Sequence, residues 1–278
     1  RSTAERAEIM SLPAVRSLGS TLAKALDSDI FASFKSSKLT MLAAFVVFLL
    51  VLGAVLAPWV APTNPFDPAQ VFLMDASIPP SWQQGGDPRF IFGTDDQGRD
   101  LYSAILYGLR VSLVVGGLGV LLAAVIGITL GLVAGYVGGR VDAIIMRVAD
   151  VQLTFPAILI ALLIDGVVRG VFKAATREET AIPVLVLSIG LSFWVQYART
   201  IRGSTLVEKN KDYVRAARLV GLPAPLIMLR HVLPNVIGPV LVILTINLGL
   251  AVITEATLSF LGVGLPPTQP SLGTLIAI

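Results

Sequence analysis

Residues 111–139 read VSLVVGGLGVLLAAVIGITLGLVAGYVGG, a run of 29 residues without a charge between Arg110 and Arg140. A helix rises about 1.5 Å per residue, so about 20 apolar residues cross the roughly 30 Å hydrocarbon core of a bilayer. The run is therefore long enough to span a membrane. It predicts an integral membrane protein built from helices.

The composition of the whole chain agrees with this prediction. Of 278 residues, 55% are hydrophobic and 14% are charged, and the mean hydropathy is +0.81. A soluble domain of this size carries about 25% charged residues, so the composition excludes an ordinary soluble enzyme. The net charge of +3 does not indicate nucleic-acid binding, because the basic residues lie between apolar runs. The chain has no cysteine, which excludes disulfides and thiolate zinc sites.

Further uncharged runs predict the remaining spans. The segment at about 143–164 is the weakest of them, because Arg147 and Asp150 interrupt it; these two lie three residues apart and can pair on one helix face. The last residues, 273–278, predict the start of a sixth helix that is cut short. The predicted fold class is an all-α polytopic membrane protein with five spans and a truncated sixth, the spans lying at about 39–58, 111–136, 143–164, 180–198 and 232–254.

The distribution of Lys and Arg predicts the orientation of these spans. With the N-terminus inside the cell, 15 of the 21 basic residues fall in cytoplasmic segments and 6 in external ones. We therefore expect a cytoplasmic N-terminal lead-in at 1–38 and a transmembrane domain at 39–278. Within that domain we expect an external loop at 61–110 and a cytoplasmic loop at 199–231.

Enzymatic chemistry is poorly represented in this sequence. None of the six lysines follows a glycine, so the chain has no phosphate-binding loop of the G-x-x-x-x-G-K-[ST] kind. The single histidine, His231, leaves no His pair for a metal site. We expect a non-catalytic protein without a metal or cofactor of its own.

The cytoplasmic loop carries the most specific pattern. Glu208, Lys211, Arg215 and Arg218 are spaced to lie on one helix face, and Gly221 followed by Pro223 predicts the helix end. A second short helix is predicted from Pro225 towards Pro234. It begins with four apolar residues, 226–229, which either pack back on the protein or meet a partner.

A family resemblance favours the partner. Arg215-Ala216-Ala217-x-x-x-Gly221, nine residues and then His231-Val232-Leu233-Pro234 resemble the Glu-Ala-Ala-x3-Gly-x9-Ile-x-Leu-Pro loop signature of ABC-importer membrane subunits. Arg215 stands where that signature has glutamate, and His231 where it has isoleucine.

Five other segments are similar, in order, to dipeptide, oligopeptide and nickel permeases of this family of binding-protein-dependent transport inner-membrane components. They lie at 93–100, 107–113, 138–142, 155–156 and 258–264.

The resemblance implies a type I importer permease in the bacterial inner membrane that translocates di- or oligopeptides. Its implied partners are a homologous second permease, two cytoplasmic ATPase subunits that hold ATP and Mg, and an external substrate-binding protein. Glu255 and Asp150 either line the translocation path or support the structure. The residues implied to couple this chain to the ATPase are Arg215, Ala216, Ala217, Gly221, Leu222, Pro223, Ala224, Pro225, Leu226, Ile227, Met228 and Leu229.

Other functions remain open from the sequence. Within the family, the cargo is alternatively a nickel chelate or glutathione. From other classes, the chain is a stand-alone secondary transporter or channel, or a scaffold that anchors a cytoplasmic enzyme. The Gly93–Asp100 segment is interpreted as turn and helix-capping chemistry that supports the external loop.

Overall fold

The computed structural model describes residues 34–171, 177–266, 269 and 271–276. Within these ranges the chain is helical, and its only β pairing is an isolated bridge between Thr94 and Asp100. The chain forms two compact units, residues 1–53 and 54–278. The predicted N-terminal lead-in, 1–38, lies almost wholly outside the described residues.

The described residues form ten helices, α1 to α10 in chain order. Two short 3-10 turns, Pro68–Gln70 and Leu73–Asp75, lie between the first two helices, and a π turn, Met228–Val232, follows the seventh. The helices are α1 Lys38–Val60, α2 Leu101–Val137, α3 Gly139–Leu153, α4 Ala157–Val171, α5 Arg177–Glu208, α6 Asp212–Leu219, α7 Ala224–Ile227, α8 Leu233–Val236, α9 Gly238–Phe260 and α10 Leu272–Ile276.

Four of the predicted spans are confirmed as single helices. Among the described residues α1, α2, α5 and α9 are long and apolar enough to cross a membrane. Helix α2 begins about ten residues before the predicted span, because Asp100 caps its N-terminus by accepting a 3.0 Å hydrogen bond from the Ser103 backbone N–H. Helix α10 begins where the sixth helix was predicted, and residues 277–278 lie outside the described part.

The predicted span at 143–164 is wrong as a single helix. It is divided into α3 and α4, which are bent by 96° around Thr154, Phe155 and Pro156. Proline lacks a backbone N–H and disfavours a helical conformation in the residue before it, so the helix breaks there. The predicted Arg147–Asp150 pair is also replaced, since Asp150 accepts a 2.6 Å hydrogen bond from Arg199 on α5.

The core lies where α2 packs along α5. Gly119, Ala123, Gly127, Gly131 and Gly135 recur every fourth residue on α2 and form one face. A Cβ on Gly127 would lie 2.4 Å from the Trp194 carbonyl oxygen, and a Cβ on Gly131 would lie 2.4 Å from the Ala198 carbonyl oxygen. The small residues therefore allow the two backbones to approach closely, as is common between membrane helices.

The segment between α1 and α2 is held by polar contacts. Arg99 and Asp95 form an ion pair of 2.6 Å in which both side chains are only 3% exposed. Thr94 Oγ1 donates a hydrogen bond to the Asp75 carbonyl and accepts one from the Ile78 N–H. The structure thus agrees with the interpretation of Gly93–Asp100 as turn and capping chemistry.

Candidate functional site

The loop between α5 and α9 is anchored to the last turn of α2. Lys209 Nζ donates a 2.6 Å hydrogen bond to the Gly135 carbonyl. The guanidinium of Arg218 lies over the Tyr136 ring, 4.9 Å from its centroid, and donates to the Tyr136 hydroxyl. Cations are favourable at a helix C-terminus, where unpaired carbonyls carry partial negative charge. These two residues fix the loop against α2.

The turn at Gly221 is confirmed. Gly221 has a φ of +84°, a conformation that glycine adopts without strain. The Leu222 N–H donates to the Ala217 carbonyl at 3.2 Å, and the Gly221 N–H donates to the Arg218 carbonyl at 3.0 Å. These two bonds form a Schellman motif, which ends α6 and directs the chain into α7.

The short segment after the turn has one side chain in the core and others that are exposed. Ile227 is 1% exposed and lies in the core. Leu226 and Leu229 are 40% and 62% exposed, so neither is covered by this chain. Part of the segment 226–229 thus packs back on the protein, and contact of its exposed part with a partner stays a prediction.

The remaining predicted coupling residues divide in the same way. Ala217 is buried, and Leu222 and Met228 are half-buried. Arg215 is exposed, and its nearest carboxylate is that of Asp212 at 3.9 Å. The predicted positions that remain exposed, together with Arg215, are Ala216, Gly221, Pro223, Ala224 and Pro225.

Sequence patterning missed a polar cluster at the base of the loop. Tyr213 donates a hydrogen bond to Glu208, while Asn235 Nδ2 donates to the Tyr213 hydroxyl at 3.1 Å and to the His231 carbonyl at 2.7 Å. Burial and the neighbouring Glu208 carboxylate raise the pKa of Tyr213 to about 12. The cluster joins the start of α6 to α8. Its members are up to 22 residues apart in the sequence, so no local pattern predicts it.

The prediction that Glu208 lies on an exposed polar helix face is wrong. Glu208 was expected on the polar face with Lys211, Arg215 and Arg218, but it is only 6% exposed. The reason is that α5 ends at Glu208 and α6 begins at Asp212, so the segment is not one continuous helix. Lys211 forms a 2.9 Å ion pair with Glu208 and compensates its charge.

An apolar cavity of about 210 Å³ lies between the loop and α2. Thr129 supplies the only polar side chain in its lining. Its lining residues are Ile128, Thr129, Leu132, Val133, Pro225, Met228, Leu229 and Leu233.

The two acidic residues proposed for the path or for support occupy different environments. Asp150 is exposed and paired with Arg199. Glu255 is 0% exposed and accepts hydrogen bonds from Ser112 on α2 and Ser259 on its own helix. The contacts of Glu255 favour structural support, and the role of Asp150 stays a prediction. Across the described ranges, no three His, Cys, Asp or Glu side chains are grouped so that they could hold a metal ion.

Comparisons with known proteins agree with the loop signature. Residues 127–278 match the family described as "binding-protein-dependent transport system inner membrane component". Residues 28–80 match the "N-terminal TM domain of oligopeptide transport permease C".

Individual relatives cover most of the chain. A dipeptide transport system permease protein of Haemophilus influenzae is 34% identical over 244 residues, which are 88% of this chain and 78% of that protein. A di/tripeptide transport system permease protein of Pseudomonas aeruginosa is 36% identical over 249 residues, 90% of this chain and 78% of the relative. A glutathione transport system permease protein of Escherichia coli is 34% identical over 248 residues, 89% and 76% of the two chains. With its spanning helices and its Gly221 loop, the chain belongs to the family of inner-membrane components of binding-protein-dependent transport systems.

Proposed function

We propose that this chain is a permease subunit of an ATP-driven importer of di- or oligopeptides. The observation that carries the proposal is the exposure of Leu226 and Leu229 in the segment that follows the Gly221 turn. Exposed apolar side chains rimmed by charge are typical of protein interaction sites. Relatives named for dipeptide and di/tripeptide transport support the choice of cargo.

The partner of this helix is a cytoplasmic ATPase, and the chain hydrolyses no ATP itself. ATP and Mg bind to two such subunits, a homologous permease completes the membrane domain, and an external binding protein delivers the peptide. The coupling residues are Arg215, Ala216, Ala217 and the segment from Gly221 to Leu229. The protein lies in the bacterial inner membrane with its N-terminus in the cytoplasm, which the Lys and Arg distribution supports.

Purification of the assembled complex tests this proposal. We expect an affinity tag on this chain to retain a second permease and ATPase subunits, identified by mass spectrometry. In proteoliposomes the complex should import labelled dipeptide only with ATP and binding protein. Import of glutathione but not of dipeptides would show that the cargo is glutathione rather than a peptide of this class. Uptake driven by an ion gradient without the ATPase would overturn the proposal of an ATP-driven importer.

The contact itself is tested with a matched pair of variants. Leu226→Ser combined with Leu229→Ser should release the ATPase from the purified complex. Leu73→Ser removes an equally apolar side chain that is 79% exposed outside the loop, and it should leave ATPase retention unchanged. Full retention of the ATPase by the double variant would show that these leucines are not the contact.

A further inference from the structure

A second cavity lies near the N-terminal end of α2, far along the helix from the coupling loop. Its volume is about 270 Å³, and apolar side chains form most of its wall. Phe66 and Tyr107 meet edge to face at 5.4 Å on one side of it. Val111 and Val114 of α2 and Ile182 of α5 line the rest, and Arg110 is the only charged residue in the lining.

Arg110 lines this cavity and, unlike several other arginines of the membrane domain, has no carboxylate partner among the described residues. Arg99, Arg199 and Arg202 each pair with an aspartate, namely Asp95, Asp150 and Asp142. Arg110 is exposed, and within the part of the chain that the structure describes its side chain makes no hydrogen bond or ion pair. Arg110 stands directly before the uncharged run 111–139, so its guanidinium is free to meet an anion at the edge of the apolar cavity.

The size and chemistry of the cavity restrict what it can hold. Sites for whole small molecules are about 300–1,000 Å³, so this cavity admits one large side chain rather than a complete peptide. Its occupant must offer an apolar group to the walls and an anion to Arg110. A guanidinium matches a carboxylate well, because its N–H groups can donate two parallel hydrogen bonds. The C-terminal residue of a peptide has both features within a few ångströms.

We propose that Arg110 and this cavity bind the C-terminal residue of the incoming peptide, with the carboxylate on the guanidinium and the side chain against Phe66, Tyr107 and Val114. This inference rests on the proposed function. Every unmodified peptide ends in a carboxylate, so the contact with Arg110 is open to peptides of any sequence. The apolar wall then favours peptides with a large apolar last residue.

Transport kinetics of the reconstituted complex test the role of Arg110. Peptides are compared as free acids and C-terminal amides, using pairs that the isolated binding protein binds equally well. Arg110→Gln should raise the KM for the free acid about tenfold or more and leave the KM for the amide unchanged. Arg110→Lys should retain part of the affinity, because it keeps the charge. Arg147→Gln, which neutralises an exposed arginine on α3, should behave as wild type.

Crosslinking identifies the occupant directly. The photoreactive residue benzoylphenylalanine in place of Val114 should capture labelled peptide during turnover. Capture of a phospholipid or of the second permease would overturn the inference, as would an Arg110→Gln variant whose KM is unchanged or changes equally for acid and amide. If the wild-type complex imports no peptide at all, the proposed function fails. If it imports peptide and the Arg110→Gln variant has the KM of wild type, only this inference fails.

Discussion

Ser112 Oγ donates a 2.5 Å hydrogen bond to a carboxylate oxygen of Glu255, across 143 positions of sequence. The other carboxylate oxygen accepts a 2.7 Å bond from Ser259. Glu255 is wholly buried, so these hydroxyls replace the water that would solvate it. The contact also joins α2 to α9, and it explains why an acidic residue is tolerated at this depth.

Removal of this hydroxyl should destabilise the membrane domain. Ser112→Ala leaves a buried carboxylate oxygen without its donor, which costs about 1–3 kcal/mol. Thermal unfolding of the purified complex should show a lower Tm. Ser192→Ala is the control, because its hydroxyl donates to the Ser188 carbonyl of its own helix. Equal Tm values for the two variants would mean that the Ser112–Glu255 contact contributes nothing.

The close packing of α2 on α5 predicts a strong asymmetry between two glycines. Gly131→Ala places a Cβ 2.4 Å from the Ala198 carbonyl oxygen, whereas a Cβ on Gly117 meets nothing within 4 Å. Gly131→Ala should therefore separate the helices and lower the Tm of the complex, at a cost of about 1–3 kcal/mol for an overpacked core. Gly117→Ala should be neutral or slightly stabilising, since alanine favours helix. A reversed order of the two Tm values would contradict the interface.

The left-handed turn at Gly221 predicts a defect in coupling rather than in folding. A Cβ at this position has nothing within 4 Å, so Gly221→Val acts only through its φ of +84°, which costs a β-branched residue about 1–2 kcal/mol. The variant should insert in the membrane but retain less ATPase and lose uptake. Gly221→Asn tolerates this φ better and should keep most activity. Normal uptake by Gly221→Val would show that the turn does not set the geometry of the short helix.

The orientation can be measured with introduced cysteines, because the sequence contains none. Met74 is 97% exposed, and the Asp212 side chain is fully exposed. In intact spheroplasts an impermeant thiol reagent should modify Met74→Cys but not Asp212→Cys. Lysed membranes should label both positions. The opposite result in spheroplasts would invert the topology.

Alkaline titration should separate Tyr213 from the other tyrosines. Its pKa is about 12, against an ordinary value of 10.0. The folded state therefore favours the neutral phenol, so this residue stabilises the fold fully below about pH 10. That contribution declines as the pH rises from about 10 and is lost above about 12. The phenolate absorbance of wild type minus that of Tyr213→Phe should rise near pH 12 in the folded protein and near pH 10 in denaturant. A rise near pH 10 in both would contradict the partial burial of the Tyr213 hydroxyl beside Glu208.

Much of the membrane fold could be predicted because bilayer thickness sets a minimum length for each apolar run. The same argument failed at 143–164, where hydropathy alone does not register the break before Pro156. The loop was predictable at Gly221, because a left-handed helix end strongly favours glycine. The Tyr213 cluster, the Ser112–Glu255 bond and the exchange of Arg147 for Arg199 as partner of Asp150 depend on distant residues. No local periodicity encodes them.

The length of helix α2 connects two distant parts of the molecule. Arg110 at the cavity beside Phe66 and Tyr136 under Arg218 of the loop lie 26 residues apart, about 39 Å along a helix that contains no proline. In a helix of this length, a tilt of about 5° displaces one end relative to the other by about 3 Å. The close approach of α2 to α5 along the glycine face leaves little room for the two helices to move independently. The 3 Å is comparable to one hydrogen-bond length, which is enough to make or break the grip of a single guanidinium.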